Sequence, residues 1–177
     1  MSLPALGRQR REPWGRFALR ALPVLTLLLV TGGYLCDRFR IGIDDQQARC
    51  LGSTRWYLID TYDQRPTQGQ LVAFAATDGM APYFRPGQTV IKRVVGVPGD
   101  RVSVDAEGTT INGSALPNSD PALAGTLQRP SAVFFRQTLM VPEGQFWVMG
   151  DTRDSFDARY WGLLSVQQVR GRAYALF

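Results

Sequence analysis

The apolar residues of this chain form one long uncharged run near the N-terminus and, after residue 40, a series of short runs separated by turn residues. Residues 21–36 carry no charged side chain. The later runs are rich in Val, Ile, Phe and Thr, which is typical of β-strands. No long segment after residue 40 shows the 3.6-residue period of a helix. The pattern therefore predicts a mainly β domain behind one N-terminal apolar helix.

The strand predictions rest on β-branched and aromatic residues bounded by Gly, Pro, Asn and Asp. Asn112-Gly113 predicts a hairpin turn, because both residues tolerate a positive φ. Residues 115–137 contain three prolines and are predicted to be a loop insertion. The predicted strands cover residues 56–59, 69–75, 89–97, 101–105, 145–149 and 172–177.

The uncharged run predicts a membrane anchor. As a helix, residues 21–36 span roughly 24 Å, and the apolar residues before them extend this toward the ~30 Å hydrocarbon core. A cleavable signal peptide and a buried core helix are the alternatives, although no small-x-small cleavage pattern follows the run. The arginines before the run predict a cytoplasmic N-terminus. The predicted divisions are a basic tail (1–16), a transmembrane anchor (17–36), a linker (37–49) and a β-rich domain (50–177).

Charge and composition exclude several kinds of function. The net charge is +5, but residues 1–20 hold five Arg against one Glu, so residues 21–177 carry only +1. This distribution argues against a nucleic-acid-binding domain, which would show a basic face. The chain has no His and two Cys, so His-based triads and zinc sites of the usual ligand number are not expected. No disulfide between Cys36 and Cys50, no metal and no cofactor are predicted.

Lys92 is a candidate general base. It is the one lysine among twenty basic residues, and it lies in the apolar run from Val90 to Val95. Arginine is always charged, whereas a lysine can be desolvated until its amine is neutral and basic. The alternative is an ordinary strand lysine that faces solvent.

A second chemically rich stretch covers residues 149–162. It packs five charged residues and Ser155 between an apolar strand and the aromatic pair Tyr160-Trp161. Such a loop can present hydroxyl and carboxylate groups while Arg–Asp pairs hold its shape. The alternative is a solvated turn with surface ion pairs, which contribute little stability.

Residues 91–100 and 150–162 together resemble the two signature boxes of the type I signal peptidases, family S26. The single anchor, the small size and the plain loop over residues 50–57 are most similar to the conjugative-transfer, TraF-type branch. The resemblance implies an anchored β-rich domain with a Ser/Lys dyad. It implies Lys92 as the general base and Ser155 as the hydroxyl that binds its amine. The charged residues that it implies as site supports are Asp151, Arg153, Asp157 and Arg159.

The nucleophile departs from the family pattern. The family places a serine upstream of the lysine and shortly before an aromatic-rich strand. Counting back from Trp56, that position falls on Cys50, and Ser53 is the nearest hydroxyl. A thiol needs less activation than a hydroxyl, so a Cys/Lys dyad is chemically reasonable. Three alternatives stay open: Cys50 as nucleophile, Ser53 as nucleophile, or loss of catalytic activity.

The resemblance implies a membrane-bound endopeptidase that forms an acyl-enzyme. Its expected partners are the lipid bilayer and a membrane-inserted exported precursor, most specifically a pilin-type subunit of a conjugative or type IV secretion system. Its implied location is the bacterial inner membrane, with a single pass and a periplasmic catalytic domain. Two alternatives are an inactive anchored assembly component of the same system and a general secretory signal peptidase.

Overall fold

A computed structural model of the protein describes residues 13–46, 49–127 and 137–177. The chain divides into two compact units, Met1–Asp37 and Arg38–Phe177. Helix α1 (Trp14–Arg38) is long and apolar enough to cross a membrane, and none of its side chains is buried. The N-terminal apolar helix is thus confirmed. It is longer at both ends than residues 17–36, because backbone hydrogen bonding continues through the charged residues that bounded the apolar run.

The unit from residue 38 onward is mainly β, as predicted. A short helix, α2 (Ala158–Trp161), and two 3₁₀ turns, Asp78–Met80 and Val166–Gln168, lie between strands. The strands of the described residues are β1 (Phe39–Ile43), β2 (Trp56–Asp60), β3 (Leu71–Ala75), β4 (Thr89–Gly96), β5 (Arg101–Val104), β6 (Thr109–Ile111), β7 (Ser114–Ala115), β8 (Gln137–Met140), β9 (Gln145–Met149), β10 (Leu164–Ser165) and β11 (Val169–Ala175).

These strands form two sheets with antiparallel neighbours. One sheet has seven strands in the order β1-β2-β11-β3-β4-β9-β10, and the other has four in the order β7-β6-β5-β8. The predicted hairpin is confirmed, since Asn112 and Gly113 both have positive φ, 51° and 83°. Because β4 lies between β3 and β9, its backbone is hydrogen-bonded to a neighbouring strand along both of its edges.

The linker predicted over residues 37–49 needs a correction, because part of it belongs to the sheet. Strand β1 pairs with β2, placing Ile41 opposite Leu58 and Ile43 opposite Trp56. Two alternating isoleucines were too short a pattern to indicate a strand from sequence, and the pairing with β2 supplies the backbone hydrogen bonds that make it one. The region read as a spacer therefore forms one edge of the larger sheet.

The predicted insertion over residues 115–137 is described only in part. Residues 116–127 form successive turns, residues 128–136 lie outside the described residues, and residue 137 already begins β8. Ala124 is buried in the main core, and Leu116, Leu123 and Leu127 pack against it. The described part of this segment is therefore packed onto the domain.

Two apolar clusters lie against the larger sheet. The main cluster includes Val90 and Val94 of β4, and a second cluster includes Tyr57 and Ile59 of β2. Side chains alternate across a strand, so every second residue of β4 faces the main cluster. Lys92 lies between Val90 and Val94 in this alternation and is buried with them.

Within the β unit, an ion pair joins Arg38 to Asp60 of β2. Arg38 Nε donates to Asp60 Oδ1 at 2.9 Å, a second guanidinium nitrogen donates to Oδ2, and the Tyr62 N–H also donates to Oδ1. The hydrogen bonds from Arg38 hold the pKa of Asp60 below its ordinary value of 3.8. A carboxylate with a lowered pKa stabilises the fold above its ordinary pKa, and this stabilisation is lost as pH falls through the lowered value.

We expect Asp60→Asn to lower the free energy of unfolding by about 1–2 kcal/mol at neutral pH, since it removes a charged hydrogen-bond acceptor. Below about pH 4 the difference from wild type should shrink, because the carboxylate is protonated first in the unfolded chain and, at a lower pH, in the folded chain as well. Thermal unfolding of the detergent-solubilised chain, followed by circular dichroism between pH 2 and 7, measures both effects. Asp63→Asn is the control, because Asp63 and Arg172 are 3.8 Å apart and partly exposed. If the stability difference between Asp60→Asn and wild type did not change with pH, the lowered pKa of Asp60 would be contradicted.

Candidate active site

Lys92 is buried and contacts two groups that were predicted to work with it. Its Nζ lies 2.8 Å from Cys50 Sγ and donates to Ser155 Oγ at 2.7 Å. Lys92 and Ser155 are only 2% and 3% exposed. The Phe84 ring centroid is 6.0 Å from Nζ. The one lysine of the chain is therefore surrounded by an apolar wall, a hydroxyl and a thiol.

The strand register brings the loop after β9 to Lys92. Arg93 of β4 pairs with Met149, the last residue of β9. The chain that follows Met149 consequently starts beside Lys92, and Ser155 turns back toward the amine. Gly150 allows this close return. A Cβ atom at Gly150 would overlap Ser155 Oγ and lie 2.7 Å from Ser155 Cβ and 3.0 Å from Cys50 Cβ.

Cys50 is held next to the same loop. It is half-buried with a free thiol, and its carbonyl accepts a hydrogen bond from the Asp151 N–H at 2.6 Å. The neighbouring Leu51 is buried in the second apolar cluster and anchors the segment. Cys36, the other cysteine, is exposed.

Ser53 is placed differently. Its residue is exposed, and its backbone carbonyl accepts a hydrogen bond from the Arg49 guanidinium at 2.8 Å. Within the described part of the chain, no hydrogen bond joins Ser53 to Lys92. Of the two candidate nucleophiles, the structure thus brings Cys50 into contact with the lysine.

Asp157 and Arg159 form a fully buried ion pair beneath the loop. Arg159 Nε and Nη2 each donate to an Asp157 oxygen at 2.8 Å, and both side chains have 0% exposure. Burial alone would lower the pKa of Arg159, but the hydrogen bonds and charge of Asp157 outweigh it and raise that pKa. Asp157 also accepts from the Gly150 N–H at 3.0 Å, and Arg159 donates to the Ser155 carbonyl at 3.0 Å. The pair thereby fixes both ends of the turn that carries Ser155.

Two further ion pairs, which are less buried than Asp157–Arg159, hold the outer side of the loop. Arg93 makes two hydrogen bonds to Asp151, at 2.9 and 2.8 Å, and these raise the pKa of Arg93. Arg153 makes two to Asp120, both at 2.7 Å, and these hold the pKa of Asp120 below its ordinary range. The Asp120 carbonyl also accepts from Arg159 at 2.7 Å. All four predicted supports therefore contact this loop or lie in it.

Sequence reasoning missed Arg93, Asp120 and Gly150 as site residues. Arg93 directly follows the lysine, and Gly150 lies inside the second motif, so both could have been found by attention to the motif neighbours. Asp120 had no such signal. It lies in the proline-containing segment read as an insertion, and only the folded chain shows that it binds two arginines of the loop.

Two cavities flank the contact between Cys50 and Lys92, and both of these residues line each cavity. The smaller, of about 80 Å³, extends past Leu51 and Tyr57 and is named here the Leu51-side cavity. The larger, of about 290 Å³, extends past Ser155 and is named the Ser155-side cavity. In residues 13–46, 49–127 and 137–177, no group of three or more Cys, Asp or Glu side chains is arranged to hold a metal ion.

Comparison with known proteins identifies the family. The family model described as "Signal peptidase, peptidase S26" matches residues 14–177. The chain belongs to the S26 signal peptidase family. The match includes the lysine strand, the loop over residues 150–162 and the N-terminal apolar helix. That helix and the family membership are consistent with a membrane-anchored protein.

Individual relatives are similar over parts of the chain. A probable signal peptidase I-2 of Synechocystis sp. is 33% identical over 114 residues, which are 63% of this chain and 48% of that protein. The signal peptidase I of Bacillus licheniformis is 35% identical over 141 residues, 68% of this chain and 75% of that protein. The chain thus spans about half the length of the Synechocystis relative. A crystal structure of a signal peptidase I from Enterococcus faecalis is 29% identical, with 65% of this chain and 99% of that chain covered and a TM-score of 0.40.

Proposed function

We propose that the chain is a membrane-anchored endopeptidase that cleaves exported precursor proteins with Cys50 as nucleophile and Lys92 as general base. One observation carries this proposal: the buried Lys92 Nζ lies 2.8 Å from Cys50 Sγ and 2.7 Å from Ser155 Oγ. Hydrogen-bond contact between a nucleophile and a base, with a third group orienting the base, is the arrangement that covalent catalysis requires. Membership of the S26 family supports the same reaction class.

The reaction begins with proton transfer from the Cys50 thiol to the Lys92 amine. The resulting thiolate attacks the scissile carbonyl carbon, and the tetrahedral intermediate collapses when the C–N bond breaks. The Lys92 ammonium returns its proton to the departing amine. The product is a thioester between Cys50 and the N-terminal part of the substrate. Water then attacks the thioester carbonyl carbon while Lys92 takes its proton, the C–S bond breaks, and the Cys50 thiolate regains the proton from Lys92.

Ser155 is a positioning residue in this scheme. Its hydroxyl accepts a hydrogen bond from Lys92 Nζ, so the amine has a fixed direction toward Cys50 Sγ. The Ser155 backbone is itself held by Arg159. The ion pairs of Asp151, Arg153, Asp157 and Arg159 therefore act on catalysis through the geometry of the loop, without contacting the reacting atoms.

The proposed substrates carry a small residue before the scissile bond. The Leu51-side cavity next to Cys50 has a volume of only about 80 Å³, which favours a short side chain there. We propose a single-pass topology in the bacterial inner membrane, with a cytoplasmic N-terminus and the β domain in the periplasm. The arginines before α1 support this orientation, and anchoring restricts cleavage to sites near the bilayer surface.

The more specific substrate that we propose is a pilin-type subunit of a conjugative or type IV secretion system. The single anchor and the short segment before β2 support it, as features that resemble the conjugative-transfer branch. Competition between a pilin-type precursor and a general secretory precursor, both inserted in the same liposomes with the full-length chain, tests this choice. Faster cleavage of the pilin-type precursor supports the conjugative role, and faster cleavage of the secretory precursor supports a general signal peptidase.

Variants of the two candidate nucleophiles test the proposed function. We expect Cys50→Ala to abolish precursor cleavage, because the substitution removes the attacking sulfur atom while Ser155 still binds the Lys92 amine. Cys50→Ser should retain weak activity, since a hydroxyl in the same place is harder to deprotonate. Ser53→Ala is the control and should cleave at the wild-type rate. Inactivity of Ser53→Ala beside an active Cys50→Ala would contradict the assignment. A folded wild-type chain that cleaves no precursor would instead support an inactive assembly component.

A further inference from the structure

The Ser155-side cavity has no role in the scheme above, and its position beside the reacting pair suggests one. Both cavities reach Cys50 and Lys92, but they diverge from there. A peptide whose scissile carbonyl lies over Cys50 Sγ extends away from that atom in two directions. Its N-terminal and C-terminal parts therefore approach different cavities.

The proton transfer from Lys92 to the departing amine indicates which half of the substrate lies in each cavity. The departing amine takes its proton from Lys92, so its nitrogen must lie within hydrogen-bond reach of Nζ. Lys92 Nζ is in turn bound to Ser155 Oγ, which lines the larger cavity and does not line the smaller. The Leu51-side cavity is instead lined by Cys50 and by Leu51, the residue that follows the nucleophile. The departing half of the substrate is thus directed to the Ser155 side.

Aromatic rings form the wall of this cavity. Phe156 is buried, and its ring centroid lies 4.5 Å from that of Tyr83 and 5.9 Å from that of Phe84. Leu123 adds an aliphatic surface to the wall. It lies close in sequence to Asp120, which binds arginines of the loop over residues 150–162. The exposed carboxylate of Asp154 stands at the rim. Such a wall favours an aromatic or large aliphatic side chain, and the carboxylate disfavours an acidic one.

We propose that the Ser155-side cavity binds the side chain of the first residue after the scissile bond and selects an aromatic or large aliphatic residue there. This specificity rests on the proposed function, because it concerns the leaving half of the same substrate. Tyr83 is the wall residue that can be tested most directly. It is partly exposed, so shortening it removes ring surface from the cavity without removing a core side chain.

The first experiment uses the full-length chain in detergent with three peptides that differ only after the scissile bond, where they carry Phe, Gly or Asp. We expect kcat/KM to be at least about tenfold higher for Phe than for Gly, and lowest for Asp. Tyr83→Ala should reduce the Phe-to-Gly ratio severalfold. Tyr174→Ala, which removes an exposed tyrosine from β11, is the matched control and should keep the wild-type ratio.

A second readout isolates the leaving side. When phenylalanine amide or glycine amide is added during turnover, its amine attacks the thioester carbonyl, the C–S bond breaks and the thiolate regains a proton. We expect more transfer product from phenylalanine amide in wild type, and a smaller excess in Tyr83→Ala. Equal preference in wild type, or a Tyr83→Ala effect confined to the residue before the cut, would overturn this inference while cleavage persists. Failure to cleave any peptide would overturn the proposed function as well.

Discussion

Replacement of Lys92 by methionine is expected to lower kcat for precursor cleavage by roughly 10²- to 10⁴-fold, the usual contribution of a general base. Methionine is unbranched and similar in length, so it fills the space between Val90 and Val94 without offering an amine. The fold should be kept, because an apolar side chain suits this buried position better than an amine. Cleavage of a reconstituted precursor and the thermal midpoint, measured on the same preparation, separate loss of chemistry from loss of structure.

Lys92→Arg is the matched control for charge. A guanidinium keeps the positive charge but is not deprotonated in proteins, so it cannot take the proton from Cys50. We expect this variant to be as inactive as Lys92→Met. Wild-type cleavage by either folded variant would show that the base lies elsewhere.

Arg159→Met is expected to have the largest effect on stability, lowering the free energy of unfolding by about 3–5 kcal/mol. The substitution leaves the Asp157 carboxylate buried without its partner, although the pair is 0% exposed in wild type. It also removes the hydrogen bonds to the carbonyls of Thr152, Ser155 and Asp120. Denaturant unfolding of the detergent-solubilised chain measures the loss.

The double variant Asp157→Leu with Arg159→Met distinguishes charge burial from loop positioning. Removing both charges together should recover part of the stability, since a buried pair can be replaced by apolar groups at lower cost than one partner alone. Cleavage should stay low, because the carbonyl of Ser155 still lacks its donor. Arg153→Ala is the matched control, as the Arg153 side chain is 65% exposed and should change the midpoint little. If Arg159→Met alone were as stable as Arg153→Ala, the account of the buried pair would be contradicted.

Part of the candidate site could be predicted from sequence, because Lys92 and Ser155 lie in two short stretches of distinctive composition. A single lysine in a run of Ile and Val, and a serine among paired charges, carry their signal locally. The choice between Cys50 and Ser53 was not local. Ser53 lies three positions after Cys50, and the packing of Leu51 together with the hydrogen bond from Asp151 to the Cys50 carbonyl holds Cys50 beside Lys92.

The fold shows the same division between local and long-range information. Strands such as β4 and β9 were predicted from their own composition. Strand β1 was missed because its two isoleucines become a strand only through pairing with β2. Asp120 was missed because its importance comes from Arg153 and Arg159, which lie far along the sequence. Pairing partners of this kind are fixed by tertiary structure, so composition and period do not reveal them.

The central claim is that Cys50 forms the covalent intermediate, and trapping that intermediate tests it most directly. The full-length chain would be mixed with a cleavable peptide, quenched in acid within one turnover, digested and analysed by mass spectrometry. We predict that the mass of the N-terminal peptide fragment appears on the segment that contains Cys50, as a hydroxylamine-sensitive thioester, and is absent from Lys92→Met. An acyl group on Ser53, or undiminished turnover by Cys50→Ala, would contradict the account.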